Sequence, residues 1–152
     1  MAFTHTNKIT YSYTAGGVDA VKAISRSESA GAEINISKAI TTNSSVETAD
    51  ISLDYFEFQE KDQARSVYIL LTGFNGTLKG GVSGGSTMVA DLKNGEPYVW
   101  SSSDGSTNNF PAGNTNPMVD ATDELIVKPD AGSGTDTDGT ITVRVLYAPM
   151  TP

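Results

Sequence analysis

The sequence predicts an all-β fold, an antiparallel β-sandwich with jelly-roll or Greek-key connections, and three observations carry that prediction. The stretch Thr140-Ile141-Thr142-Val143-Arg144-Val145-Leu146-Tyr147 alternates apolar and polar residues with period two, as a strand with one buried face does. Shorter alternations recur along the chain between Gly, Asn, Asp and Ser clusters, giving about nine strands at a spacing typical of sandwiches. The hydrophobic fraction is 38% with 15 glycines, a balance that suits many short strands and turns better than a helical bundle. At 152 residues the chain fits one domain able to bury a core.

Taken in order, residues 1–7 are polar and predict a flexible arm, followed by a single sandwich over 8–148 and a tail over 149–152. The first strand is expected at Lys8-Ile9-Thr10-Tyr11-Ser12-Tyr13-Thr14, broken at Ala15-Gly16-Gly17, with a second over 18–24. Ile34 and Ile36 share a face of a third strand, and 41–48 reads as a polar connection. Ile51-Ser52-Leu53-Asp54-Tyr55 alternates and runs on through Phe56-Glu57-Phe58. Residues 60–65 are charged and predict a helical turn or loop, too short for a stable helix. Residues 66–72 are apolar on both faces and belong in mid-sheet.

Asn75-Gly76 predicts a tight hairpin turn between 70–74 and 77–79. Gly80-Gly81 and Gly84-Gly85 flank a loop. Residues 87–92 form a strand, turned at Asn94-Gly95 into Glu96-Pro97-Tyr98-Val99-Trp100. The breaker-rich segment 101–118, which includes Phe110, reads as a long surface loop of the kind that often carries a domain's specific task. Strands at 124–128 and 140–147, joined by a 132–139 linker, complete the chain.

Composition excludes several classes of function. With no cysteine, disulfides, zinc–thiolate sites and thiol catalysis are ruled out. The net charge is −8 and the ten Lys and Arg are scattered singly, so no basic stripe exists for a nucleic-acid backbone. Residues 1–8 lack the apolar core of a signal peptide, and no run approaches the ~18 apolar residues of a membrane span. The expectation is a soluble protein made in the cytoplasm, with no nucleic-acid or membrane partner.

Catalytic motifs fare poorly. The one histidine, His5, sits in the expected arm, a poor place for a triad base. Asp120, Asp123 and Glu124, and separately Asp50 and Asp54, are the candidate carboxylate pairs, but exposed acids need no special cause. Asp136-Thr137-Asp138-Gly139 resembles part of a calcium loop. Aligning Gly139 with the loop's glycine places Gly134 and Val145 where acidic ligands belong, so an acidic turn tip is the better reading. Three glycosylation tripeptides, at Asn35, Asn43 and Asn75, fit chance in a Ser/Thr-rich chain. Tyr98 and Trp100, at i and i+2, share one strand face; that face could be a sugar-stacking platform, but core packing or an interface is the better reading. No enzyme activity, cofactor or metal is expected.

Tyr11-Ser12-Tyr13-Thr14, Ser66-Val67-Tyr68-Ile69-Leu70-Leu71, Gly95-Glu96-Pro97-Tyr98-Val99-Trp100 and the strands at 124–128 and 140–147 give a chain that resembles the small β-rich virion proteins of tailed bacteriophages. The capsid decoration, or cement, proteins are the nearest in style. That resemblance implies a compact sandwich or barrel on the outer capsid surface, commonly trimeric, bridging capsomers of the major capsid protein. It implies no transferable functional residue. A polar arm over 2–7, anchored by Phe3, could add to a neighbour's sheet edge, and Tyr147-Ala148-Pro149-Met150 could pack beneath another subunit. Phe3, His5, Tyr98, Trp100, Phe110, Tyr147 and Met150 are the candidate contact residues. The rival readings are a carbohydrate- or receptor-binding module using Tyr98, Trp100 and the 101–118 loop, a tail-tube or neck subunit, and, last, an enzyme.

Overall fold

The computed structural model describes residues 1–42, 49–51, 63–81, 87–102, 124–129 and 137–149. They form ten strands and no α-helix. In chain order these are β1 (Phe3–Ala15), β2 (Val18–Ala30), β3 (Ala32–Thr42), β4 (Ala49–Ile51), β5 (Ala64–Thr72), β6 (Gly76–Gly81), β7 (Thr87–Leu92), β8 (Tyr98–Ser101), β9 (Glu124–Pro129) and β10 (Thr137–Tyr147). β1 and β2 pair as a separate ribbon. The other eight make two four-stranded antiparallel sheets, ordered β3-β10-β5-β8 and β4-β9-β6-β7. Of these eight, the first and last, β3 and β10, lie side by side, and successive strands alternate between sheets except at β6–β7. That order is the jelly roll, two interleaved Greek keys.

The core follows from the alternation of β10. Ile141, Val143, Val145 and Tyr147 all point inward. Val145 is flanked by Ile34, Val67 and, one strand further, Trp100; Val143 is flanked by Ile36, Ile69 and Tyr98. Leu78 of β6 and Leu92 of β7 join the same cluster from the second sheet, so the two inner faces share one interior. A bulge between Leu146 and Tyr147 is followed by a clamp: Gln63 Nε2 donates to the Ala148 carbonyl, and the Ala148 N–H donates to the Gln63 carbonyl, both at 2.9 Å.

One turn differs from expectation and one agrees with it. Asn75-Gly76 does not fold 70–74 onto 77–79 as a hairpin: β5 and β6 belong to different sheets. Asn94-Gly95 turns the chain from β7 into β8 as expected, with Gly95 at φ 76° and the Glu96 N–H bonded to the Lys93 carbonyl, and carries it from one sheet to the other. The two crossovers are pinned together. Asn94 Oδ1 accepts the Gly73 N–H at 2.9 Å, the Asn94 N–H donates to Asn75 Oδ1 at 2.8 Å, and the Gly95 N–H reaches the Leu71 carbonyl. The left-handed residue that frees this geometry is Gly73, at φ 98°. A Cβ there would collide with the Asp138 carbonyl.

The expected arm is also different. Residues 3–7 are the first rungs of β1, and the β1–β2 ribbon runs thirteen residues per strand around Gly16-Gly17. Both glycines have positive φ, at 61° and 80°, as a two-residue hairpin turn of the primed type needs. The ribbon ends at Gly31, so the jelly roll begins at β3 and not at residue 8. Predicted features over 43–48, 52–62, 82–86 and 130–136 lie outside the described residues.

Candidate functional site

The β1–β2 ribbon is amphipathic by register. Directly paired residues share a face, which places Thr4–Ser29, Thr6–Ser27, Lys8–Ser25 and Thr10–Ala23 on one side. Hydroxyl pairs staple that side: Thr4 Oγ1 lies 2.9 Å from Ser29 Oγ, and Thr6 Oγ1 lies 3.0 Å from Ser27 Oγ, the cross-strand pairing that stabilises ribbons. The opposite register parity carries Phe3–Ala30, His5–Glu28, Asn7–Arg26, Ile9–Ile24, Tyr11–Lys22, Tyr13–Ala20 and Ala15–Val18.

The base of that second face sits on the outer face of the β3-β10-β5-β8 sheet, on a single row across it. The row is Glu33, Leu146, Ser66 and Ser101. His5 Nε2 donates to Glu33 Oε1 at 2.7 Å, Asn7 Nδ2 makes a long 3.4 Å bond to Ser66 Oγ, and Ser101 Oγ donates to Glu28 Oε1 at 2.8 Å. Between these bonds Leu146 is 0% exposed, while Ser66 and Ser101 are 1% exposed. Buried hydroxyls need partners, and the ribbon supplies them. At the junction, Pro149 packs against Gly31, leaving a Cβ at Gly31 only 3.3 Å from Pro149 Cδ.

Beyond residue 7 the ribbon continues to the Gly16-Gly17 turn. Tyr11 is 64% exposed and Tyr13 50% exposed; their rings, 5.6 Å apart, form one aromatic patch. This patch is the candidate docking site.

The residues named from sequence divide clearly. Phe3 and His5 belong to the ribbon: Phe3 is exposed beside Ala30, and His5 is half-buried against Glu33 in place of a mobile tail. Tyr98 and Trp100 do share a face, but it is the inner one. Tyr98 is buried and Trp100 packs against the core, so a sugar platform built on that pair is set aside. Tyr147 is likewise a core residue of its own chain and not a ledge for a neighbouring subunit. Phe110, Met150, most of the 101–118 loop, Asp54, Asp120, Asp123 and Asp136 lie outside the described residues, and Thr137 to Gly139 are strand residues of β10. Among the described residues no three His, Asp or Glu gather as a metal-ligand set. Tyr11 and Tyr13 were legible as strand but not as a contact pair; the signal was their i, i+2 spacing next to a Gly-Gly turn. No family model matches the chain, and neither the curated proteins nor the solved structures give a match.

Proposed function

We propose that this chain is a non-enzymatic structural subunit of a viral particle, a decoration or cement protein that binds the outer capsid surface and bridges capsomers. The observation that supports it is the exposed aromatic ribbon carried on a jelly roll. A protein that acts by surface burial needs an outlying apolar element on a rigid body, and this ribbon is one. The jelly roll is used by capsid and lectin domains alike, so the fold adds support by analogy alone. A net charge of −8 suits a place outside the shell, away from packaged nucleic acid. Each contact is modest, and many symmetric copies on one shell multiply their effect.

The test is co-expression with the major shell protein of the same genome, followed by gradient sedimentation. The chain should sediment with shells at a fixed stoichiometry and raise their melting temperature. A chain that stays at the top of the gradient, with shells melting unchanged, ends this reading.

A further inference from the structure

The two Asn-Gly pairs of the chain, Asn75-Gly76 and Asn94-Gly95, carry a chemistry beyond turn formation. In such a pair the backbone nitrogen readily attacks the preceding side-chain amide, because glycine has no Cβ to crowd the approach. The crossovers hold the two pairs together, and the bonds that do so fall on the reacting groups. The nucleophile would be the Gly95 nitrogen, whose N–H donates to the Leu71 carbonyl at 2.8 Å. The electrophile would be Asn94 Cγ, whose Oδ1 accepts the Gly73 N–H at 2.9 Å. The Asn94 N–H is tied in turn to Asn75 Oδ1 at 2.8 Å.

Two of these bonds act in opposite directions. A donor on Oδ1 polarises the amide and favours attack at Cγ. The Gly95 bond works against it, since the nitrogen attacks only after losing its proton, and a bonded amide proton is lost only when the bond opens. Proton loss precedes attack, so the Gly95 bond prevails. Solvent access is not the barrier. Residues 93–97 are exposed, and among the described residues nothing lies within 4 Å of a Cβ built on Gly95. Asn75-Gly76 is held differently: Gly76 is buried and pairs with Leu92 on one side and Pro129 on the other. Reaction there would pull the first residue of β6 out of both ladders.

We propose that Asn94 is a latent self-modification site, kept unreactive by the clasp between the crossovers and converted once that clasp opens. On opening, hydroxide takes the Gly95 N–H proton and the nitrogen bonds to Asn94 Cγ. The Cγ–Nδ2 bond breaks, Nδ2 takes a proton from water and leaves as ammonia, and a cyclic imide remains. Water then splits one of the two imide C–N bonds. Splitting at Cγ gives aspartate at position 94, and splitting at the main-chain carbonyl gives isoaspartate. In the isoaspartate the main chain runs through Cβ and Cγ, one methylene longer, and the former acceptor of the Gly73 N–H has become a backbone carbonyl. The clasp cannot re-form on that chain, so a reversible opening becomes permanent. The site is independent of what the ribbon binds.

The experiment is incubation of the full chain at mildly alkaline pH, folded or in urea, with peptide mapping of position 94 by mass spectrometry. Wild type, Asn75→Ala and Asn75→Asp are compared, each checked for a cooperative melt above the incubation temperature. In the wild type, conversion at Asn94 should be about tenfold or more slower in the folded chain than in urea. Asn75→Ala removes the acceptor of the Asn94 N–H and should speed folded-state conversion roughly fivefold, whereas Asn75→Asp keeps an acceptor and should stay within about twofold of wild type. Converted chains should contain isoaspartate and show a lower denaturation midpoint. Equal rates in folded and unfolded wild type overturn the inference, as does conversion at Asn75 ahead of Asn94 in the folded chain. A folded Asn75→Ala chain that converts at the wild-type rate does so too. Should Asn75→Ala fail to fold, the folded-to-urea ratio of the wild type decides alone.

Discussion

Leu146 offers the sharpest test of how the ribbon is seated. It alternates with the inward residues Val145 and Tyr147, so it belongs to the outer face with Thr140, Thr142 and Arg144, yet it is fully buried. The ribbon base bridges its row on both sides, at Glu33 and at Ser66 and Ser101. Truncating a buried Leu to Ala typically costs about 2–5 kcal/mol, of which about 1.5–3 kcal/mol is the apolar area returned to water. With residues 1–30 removed, that side chain would lie at the surface and its truncation should cost under about 1 kcal/mol by the same area rule. Leu146→Ala and the deletion should therefore couple by about 2–3 kcal/mol, far above the roughly 0.3–0.5 kcal/mol scatter of independent sites. Urea unfolding of the four proteins, at concentrations where each is monomeric, closes the cycle. An equal cost of Leu146→Ala in both backgrounds would refute the seating of the ribbon on this row.

Two further outcomes concern the jelly roll itself. Gly139→Ala should destabilise by about 1–3 kcal/mol or more, because its Cβ would meet the Thr72 carbonyl and lie 2.5 Å from Phe74 Cδ1; adding Phe74→Leu should recover only part of this in denaturant melts, since the carbonyl cannot move aside as a side chain can. Asn94→Ala removes the acceptor of the Gly73 N–H and should lower the denaturation midpoint by the equivalent of about 1 kcal/mol with an unchanged slope; an unchanged midpoint would show that the crossovers are not pinned there.

The strands were legible wherever one face is apolar and the other polar. β10 announced itself, and its inward set is the one the alternation named, apart from Leu146, whose burial depends on a segment more than a hundred residues away in sequence. Residues 25–30 of β2, Ser-Arg-Ser-Glu-Ser-Ala, gave no such sign, because that stretch is polar on both faces and owes its strand form to the partner across Gly16-Gly17. The same applies to Thr4 and Thr6. Sheet membership was less accessible than strand position. Asn-Gly dipeptides favour tight turns locally, but whether a turn returns to its own sheet or crosses to the other is decided by the core, here by Phe74 and Leu78 turning inward at the crossover. The Tyr98–Trp100 pair illustrates the same limit: period two placed both on one face, and only their neighbours Val67 and Ile69 show that the face is internal. His5 had no local signal at all, since Glu33 lies 28 residues away.

The ribbon joins two kinds of contact that act at different ends. Its seat is polar: a His–Glu bond, an Asn–Ser bond and a Ser–Glu bond around one leucine. Such contacts contribute little net affinity each, about 1 kcal/mol or somewhat more where a carboxylate accepts, but a mispaired buried hydroxyl at Ser66 or Ser101 would cost its desolvation. They fix direction and register more than they bind. Its outer half is the reverse, carrying the Tyr11–Tyr13 patch on one face and exposed Val21, paired with Ser12, on the other. Aromatic side chains bury a large apolar area each. On the proposed function, the polar row aims the ribbon and the uncovered aromatic end is the part that docks. The geometry of that association is then set at the seat, so substitutions at His5, Asn7 or Glu28 should alter the form of the assembly, whereas substitutions at Tyr11 and Tyr13 should alter whether it forms.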